Sequence, residues 1–174
     1  MSSHLRPAVS SKDHISGSST AALELVEYGD YQCSYCGKAY YIMKDVQKAL
    51  RKQIRFVFRN FPLTEVHPDA FNAALAAEAA GLQNNFWEMH DMLYENQENL
   101  DMPSIISYAQ AIELDVSQFE DDIQSKAISD KVEADFESGI RSGVKGTPSF
   151  FINRQKYNGD WSDTELTQYL RDQL

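Results

Sequence analysis

The stretch Leu23–Tyr41, LELVEYGDYQCSYCGKAYY, decides the fold. Its apolar opening, Leu23-Glu24-Leu25-Val26, predicts a strand over about Leu23–Tyr28 that leads inward. Gly29-Asp30 break the run, and Cys33-Ser34-Tyr35-Cys36 follow at the mouth of a helical segment. Residues three apart on a helix share a face, at a Cα separation that a disulfide can bridge without moving the backbone. A helix N-terminus presents unpaired N–H groups and a partial positive charge, which favour thiolate over thiol at the first sulfur. Cys33 is therefore placed to attack, and Cys36, one turn deeper, to resolve a mixed disulfide. Two other readings of the pair compete. A structural disulfide would close so short a loop that it removes little unfolded-state entropy. Half a zinc site would need further ligands, yet there is no second cysteine pair, and His4, His14, His67 and His90 follow no zinc-ligand spacing.

Working outward, Cys36 to Leu50 is helical in pattern, with Ala39, Ile42, Met43, Val46 and Leu50 in one stripe and Lys38, Lys44 and Lys48 facing out. Tyr40 and Tyr41 are expected to pack. Ile54–Arg59 alternates and is rich in β-branched and aromatic residues, a second strand. A β–α–β order calls for a parallel pair with a right-handed crossover. Glu27 falls on the inward side of the first strand by alternation. It is read either as an edge carboxylate in water or as a buried acid that shuttles a proton to and from Cys36, burial raising its pKa toward neutrality.

From about residue 64 to 142 the pattern is helical throughout. Ala-rich Phe71–Ala80 ends at Gly81; Asn85 is expected to cap a second helix; Asp101-Met102-Pro103 opens a third; a short fourth and a longer fifth follow. On the fifth, Val132, Phe136 and Ile140 are expected on one buried face. His67 and His90, within this block, are expected to play polar structural roles. The sheet then resumes at Val144–Asn153, pairs with Lys156–Gly159, and a capping box at Ser162 and Glu165 starts a last helix. Residues 1–20 are Ser-rich and aperiodic, and predict a flexible arm, ordered if at all near Asp13-His14-Ile15. The remaining residues, 21–174, form one domain carrying the insertion. Thr147-Pro148 opens a central strand, where a proline is out of place unless its bond is cis or the strand is at an edge. A cis-Pro148 facing the cysteines would leave the Thr147 backbone free to pair with an extended peptide.

Composition limits the function. The net charge of −10 argues against nucleic acid and anionic membranes. Nine Phe, nine Tyr and two Trp allow a substantial core, and both cysteines lie in the one motif, so the fold holds by packing alone. No apolar run is long enough for a membrane span, and MSSHLRPAVSSKDHISGSS has no apolar leader core. A cytoplasmic location is expected for the sequence as given, and a periplasmic one if a leader has been removed.

Three segments, LVEYGDYQCSYCGKAY, a helical block with HPDAFNAALAAEAAG, and GVKGTPSFFIN, resemble in this order the DsbA-like branch of the thioredoxin superfamily. The similarity runs from about residue 13 to the C-terminus. It implies an α/β thioredoxin fold, β-α-β then β-β-α, with an all-helical insertion between the halves. It also implies protein disulfide oxidoreductase activity, the direction of exchange being left open. By the resemblance Cys33 is the nucleophile, Cys36 the resolving thiol, Glu27 the buried acid, Pro148 the cis-proline and Thr147 the residue before it. Ser34 and Tyr35, with Thr147, are expected to face substrate. The Cys33–Cys36 disulfide is itself the redox group, with no other cofactor or metal implied. Implied partners are protein or peptide thiols and disulfides and a recycling partner, with a monomer as the expected state. The most oxidising members carry Pro-His between the cysteines. Ser34-Tyr35 offers no such cation, so a couple of intermediate poise is expected. Some members occur as domains appended to membrane transporters, which makes a redox-sensing or peptide-binding regulatory module the alternative function.

Overall fold

Alternation along β2 (Leu23–Gly29) sorts its side chains between two cores. In the computed structural model, which describes residues 3–174, Leu23 and Leu25 join a large core that holds both cysteines. Val26 and Tyr28 join a smaller core on the opposite face of the sheet. Glu27 shares its face with Leu23 and Leu25, beneath helix α1 (Ser34–Leu50), and is 1% exposed. It lies opposite Phe58 of β3 (Ile54–Asn60) on one side and Phe150 of β4 (Ser149–Ile152) on the other.

The sheet has five strands among the described residues, ordered β1-β3-β2-β4-β5, with β1 at His14–Gly17 and β5 at Gln155–Tyr157. β2 and β3 are parallel and every other neighbouring pair is antiparallel. Between β3 and β4 come five helices: α2 (Ala70–Gly81), α3 (Phe86–Glu95), α4 (Met102–Ala111), α5 (Val116–Ile123) and α6 (Lys126–Arg141). α7 (Glu165–Asp172) closes the chain. This is a thioredoxin fold with a helical insertion. α2 is buried nearly all round, which its alanines permit by letting neighbouring helices approach closely. Asp101, Asp115 and Ser125 each cap the helix that follows by accepting a backbone N–H. No described helix is long and apolar enough to cross a membrane.

Four local expectations away from the cysteines change. The described part of the 1–20 arm is packed. Leu5 is fully buried and its N–H donates to Arg154 O, Arg6 N–H donates to Ser142 Oγ, and β1 pairs with β3. Asp13 holds the Arg59 guanidinium through two hydrogen bonds of 2.8 and 3.0 Å, tying the arm to β3. Met1 and Ser2 lie outside the described residues. Asn85 does not cap α3 with its side chain, which turns back to donate to Gln83 O. The Ser162 hydroxyl is committed to Asp160, so the capping box does not form and α7 starts only at Glu165. Ile140 is 56% exposed, because α6 buries Asp135 and Ser138 instead, which satisfy Asn60 and the Tyr28 hydroxyl.

Candidate active site

The path from β2 into α1 is fixed by one carboxylate. Asp30, 1% exposed, accepts hydrogen bonds from the Gln32 and Leu63 backbone N–H groups at 2.7 and 2.9 Å, and lies 2.8 Å from His67 Nδ1. Its carbonyl accepts from Cys33 N–H at 3.1 Å. The loop carrying the cysteines is thus pinned to the segment that follows β3. Tyr31 fills the space below, its hydroxyl 2.8 Å from His90 Nδ1 and its ring against Phe58 and Tyr94. Burial pushes the His90 pKa down and holds the imidazole neutral. His67 and His90 therefore have polar partners near the site and touch neither sulfur by hydrogen bond.

Cys33 is the N-cap residue of α1, and both cysteines are free thiols. The Cys33 thiol donates to Thr147 O at 3.7 Å, which brings the segment before β4 directly onto the first sulfur. The Thr147–Pro148 peptide bond is cis. The Thr147 hydroxyl makes no hydrogen bond in this thiol state, leaving it free to donate once the sulfur ionises. Hydrogen bonding draws the Cys33 pKa from its ordinary 9.0 down to about 5. The Cys36 thiol contributes most, then the Thr147 side chain and the backbone N–H groups of Cys36 and Tyr35, against a desolvation penalty that acts upward.

Depth reverses this for the other two groups. Cys36 is fully buried, and desolvation together with its role as donor to Cys33 pushes its thiol well above the ordinary range. Glu27 is raised from 4.5 to about 8, first by burial and then by the charge on Cys33. Its Oε2 makes no hydrogen bond within the chain. Ser34 and Tyr35 are exposed, Tyr35 at 66%, and flank the first sulfur on the solvent side. The structure thus gathers Cys33, Cys36, Thr147 and Glu27 into one site, with Pro148 next to Thr147. Tyr40 packs as expected, stacked on Tyr94, whereas Tyr41 is 58% exposed. Among the described residues no group of three His, Cys, Asp or Glu side chains could hold a metal ion.

Two neighbours escaped the sequence reading. The sequence marks Asp30 as a strand break and as a negative charge near the thiols, but not as the acceptor that sets the loop. Gln97, between α3 and α4, donates from Nε2 to Tyr31 O and Cys33 O at 2.8 and 2.9 Å. Gly37, directly after the second cysteine, was the available signal for a side chain lying close against this turn.

A sequence profile described as thioredoxin matches residues 9–172, nearly the whole chain. The chain belongs to the thioredoxin family. Solved structures of thioredoxin-family proteins superpose over almost its full length. Oxidised BdbD from Bacillus subtilis gives a TM-score of 0.84 at 19% identity, covering 99% of this chain and 96% of that one. Alpha-DsbA1 from Wolbachia pipientis gives 0.82 at 20%, covering 95% and 92%. A thioredoxin-like oxidoreductase from Silicibacter pomeroyi DSS-3 gives 0.83 at 22%, covering 94% and 92%. These superpositions show that the chain shares its fold, helical insertion included, with those proteins. At the sequence level the chain is 38% identical over 161 residues to a protein named Na(+)/H(+) antiporter NhaA 1 from Salinispora arenicola. That match covers 92% of this chain and 24% of the relative. A protein of the same name from Mycolicibacterium vanbaalenii is 36% identical over 168 residues, 95% of this chain and 27% of the relative. The chain spans about a quarter of the length of these curated relatives.

Proposed function

We propose that this domain carries out thiol–disulfide exchange with extended segments of protein or peptide substrates. The observation that carries the reading is the opposite push on the two thiols, Cys33 toward thiolate beside Thr147 and Cys36 toward the neutral form. In the reducing direction the Cys33 thiolate attacks a substrate disulfide, forming a mixed disulfide and releasing one substrate thiolate. Cys36 then gives its proton to the Glu27 carboxylate and attacks the Cys33 sulfur, which expels the second substrate thiolate and leaves the Cys33–Cys36 disulfide. A proton acceptor poised near neutrality suits that step, because its acid and base forms are both populated there. Thr147 and Pro148, with Ser34 and Tyr35, form the surface that receives the substrate backbone. The pair is its own redox group, and the direction of net exchange follows the potentials of substrate and recycling partner. Dithiothreitol-driven reduction of insulin, followed as turbidity, tests the reading. Acceleration by the parent protein and none by Cys33→Ser is expected; no acceleration by the parent counts against it.

A second reading is favoured by the relatives themselves, which bear the name of sodium/proton antiporters and of which this chain spans about a quarter. A thioredoxin-like unit in that setting would report redox state or hold a peptide rather than turn over. Stoichiometric oxidation of Cys33 and Cys36 without catalysis of insulin reduction would favour it.

A further inference from the structure

Gln97 belongs to the helical insertion, yet its amide reaches the first turn of α1. The Cys33 carbonyl that it meets at 2.9 Å also accepts from Gly37 N–H at 3.0 Å, the opening bond of the helix. A Cβ on Gly37 would lie 2.0 Å from Gln97 Oε1 and 2.6 Å from its Cδ. The amide therefore lies flat against the backbone of the cysteine turn, and the glycine is what admits it. Tyr31, whose carbonyl is the other acceptor, is 1% exposed, so loss of that hydrogen bond would leave a buried carbonyl short of a donor.

The geometry points to Gln97 as a positioning residue for thiol–disulfide exchange: it ties the Tyr31 and Cys33 carbonyls to the insertion and so aims the Tyr35 and Cys36 N–H groups at the Cys33 sulfur. It acts through the backbone and touches neither sulfur. Those two N–H groups are among the donors that favour the Cys33 thiolate, so a turn free to rotate would lose part of that support. The donor also neutralises the negative ends of two carbonyl dipoles beside a developing anion. The insertion thereby supports the chemistry of the first cysteine as well as covering the sheet. This inference rests on the exchange reading, and its test reads Cys33 itself.

The Cys33 thiolate is titrated in the reduced protein by ultraviolet absorbance, and Cys33 alkylation by limiting iodoacetamide is mapped by mass spectrometry. Gln97→Met keeps the length of the side chain and removes both donors. Gly37→Ala leaves Gln97 in place in the sequence and displaces its amide into the adjoining cavity of about 420 Å³, lined in part by Lys38, Tyr41 and Gln97 itself. Gln83→Met is the matched control, since Gln83 bridges Asp115 within the insertion by two hydrogen bonds. Gln97→Met and Gly37→Ala should each raise the Cys33 titration midpoint and slow its alkylation at mildly acid pH by about three- to tenfold, the scale of one hydrogen bond. The double variant should be no slower than either single one, because both remove the same contact. Gln83→Met should leave Cys33 unchanged. Parental titration of Cys33 in both single variants would overturn the inference, and so would additive effects in the double variant. If Gln97→Met does not fold, Gly37→Ala decides alone: a raised midpoint supports the role and an unchanged one ends it. A parent protein inert toward insulin would count against the exchange reading, while the Cys33 titration would still report on Gln97.

Discussion

The mouth of the site and its floor are separated by one helical turn, and they treat ionisable groups in opposite ways. At the mouth, Cys33 meets donors from Cys36, Thr147 and the backbone, and its charged form is favoured. On the floor, burial favours the neutral forms of Cys36 and Glu27. Two cysteines of identical chemistry thus meet opposite surroundings one helical turn apart, hydrogen-bond donors at the first and deep burial at the second. The floor is enclosed because β2 sends Glu27 toward the large core, and at the mouth Cys33, 5% exposed, lies next to the exposed Ser34 and Tyr35.

The largest expected effect divides the two sulfurs. Cys33→Ser should abolish exchange, whereas Cys36→Ser should still attack and then accumulate mixed disulfides visible on a non-reducing gel. Mixed disulfides formed through Cys36 in the Cys33→Ser protein would reverse the assignment.

The next effect concerns the floor. In the folded reduced protein Glu27 keeps its proton to about pH 8, whereas the unfolded chain loses it near 4.5. Between those values the folded state binds more protons, so this group's contribution to stability falls as pH rises and levels off above about pH 8. Glu27→Gln should therefore stabilise the reduced protein by on the order of a few kcal/mol at alkaline pH and by little in acid. Cys33 runs the other way, gaining stability from about pH 5 toward 9.0, so urea curves are compared for each variant across the same pH range. An equal gain at both ends would mean that Glu27 does not titrate as a buried acid. The same substitution should slow release from the mixed disulfide.

A smaller effect probes the mouth. Tyr35 is exposed and uncharged, so Tyr35→His places a cation near the thiolate, lowering the Cys33 pKa and raising the reduction potential by roughly tens of millivolts. Equilibration of both proteins with glutathione measures this. An unchanged potential would show that residue 35 does not set the poise. The smallest effect on chemistry is expected far from both regions: Asp115→Ala removes the α5 cap and should cost about 1 kcal/mol of stability while leaving Cys33 titration as it was. A shifted titration would mean that the contrast between mouth and floor depends on the whole insertion.

Most of the site was legible because its signals are local. A strand, a glycine and two cysteines at helical spacing place Cys33 at a helix end, and period-two alternation places Glu27 inside. The order β–α–β, helices, then β–β–α likewise fixes the fold. What was not legible depends on partners distant in sequence. Leu5 and Arg6 look like linker but find Arg154 and Ser142 across the chain. Ile140 fits an apolar stripe, yet α6 turns Asp135 and Ser138 inward because Asn60 and Tyr28 need partners there. The capping box at Ser162 has the right residues and fails because Asp160, two positions earlier, takes the hydroxyl. Gln97 lies more than sixty positions from Cys33, and only the glycine at 37 hinted that something presses on that turn.

The most direct measurement is the pH dependence of alkylation of the reduced protein by limiting iodoacetamide, with the labelled cysteine identified by mass spectrometry. The geometry predicts label on Cys33, with a rate inflection near pH 5 and Cys36 unreactive throughout the neutral range. Label first on Cys36, or a Cys33 inflection at its ordinary 9.0, would contradict it.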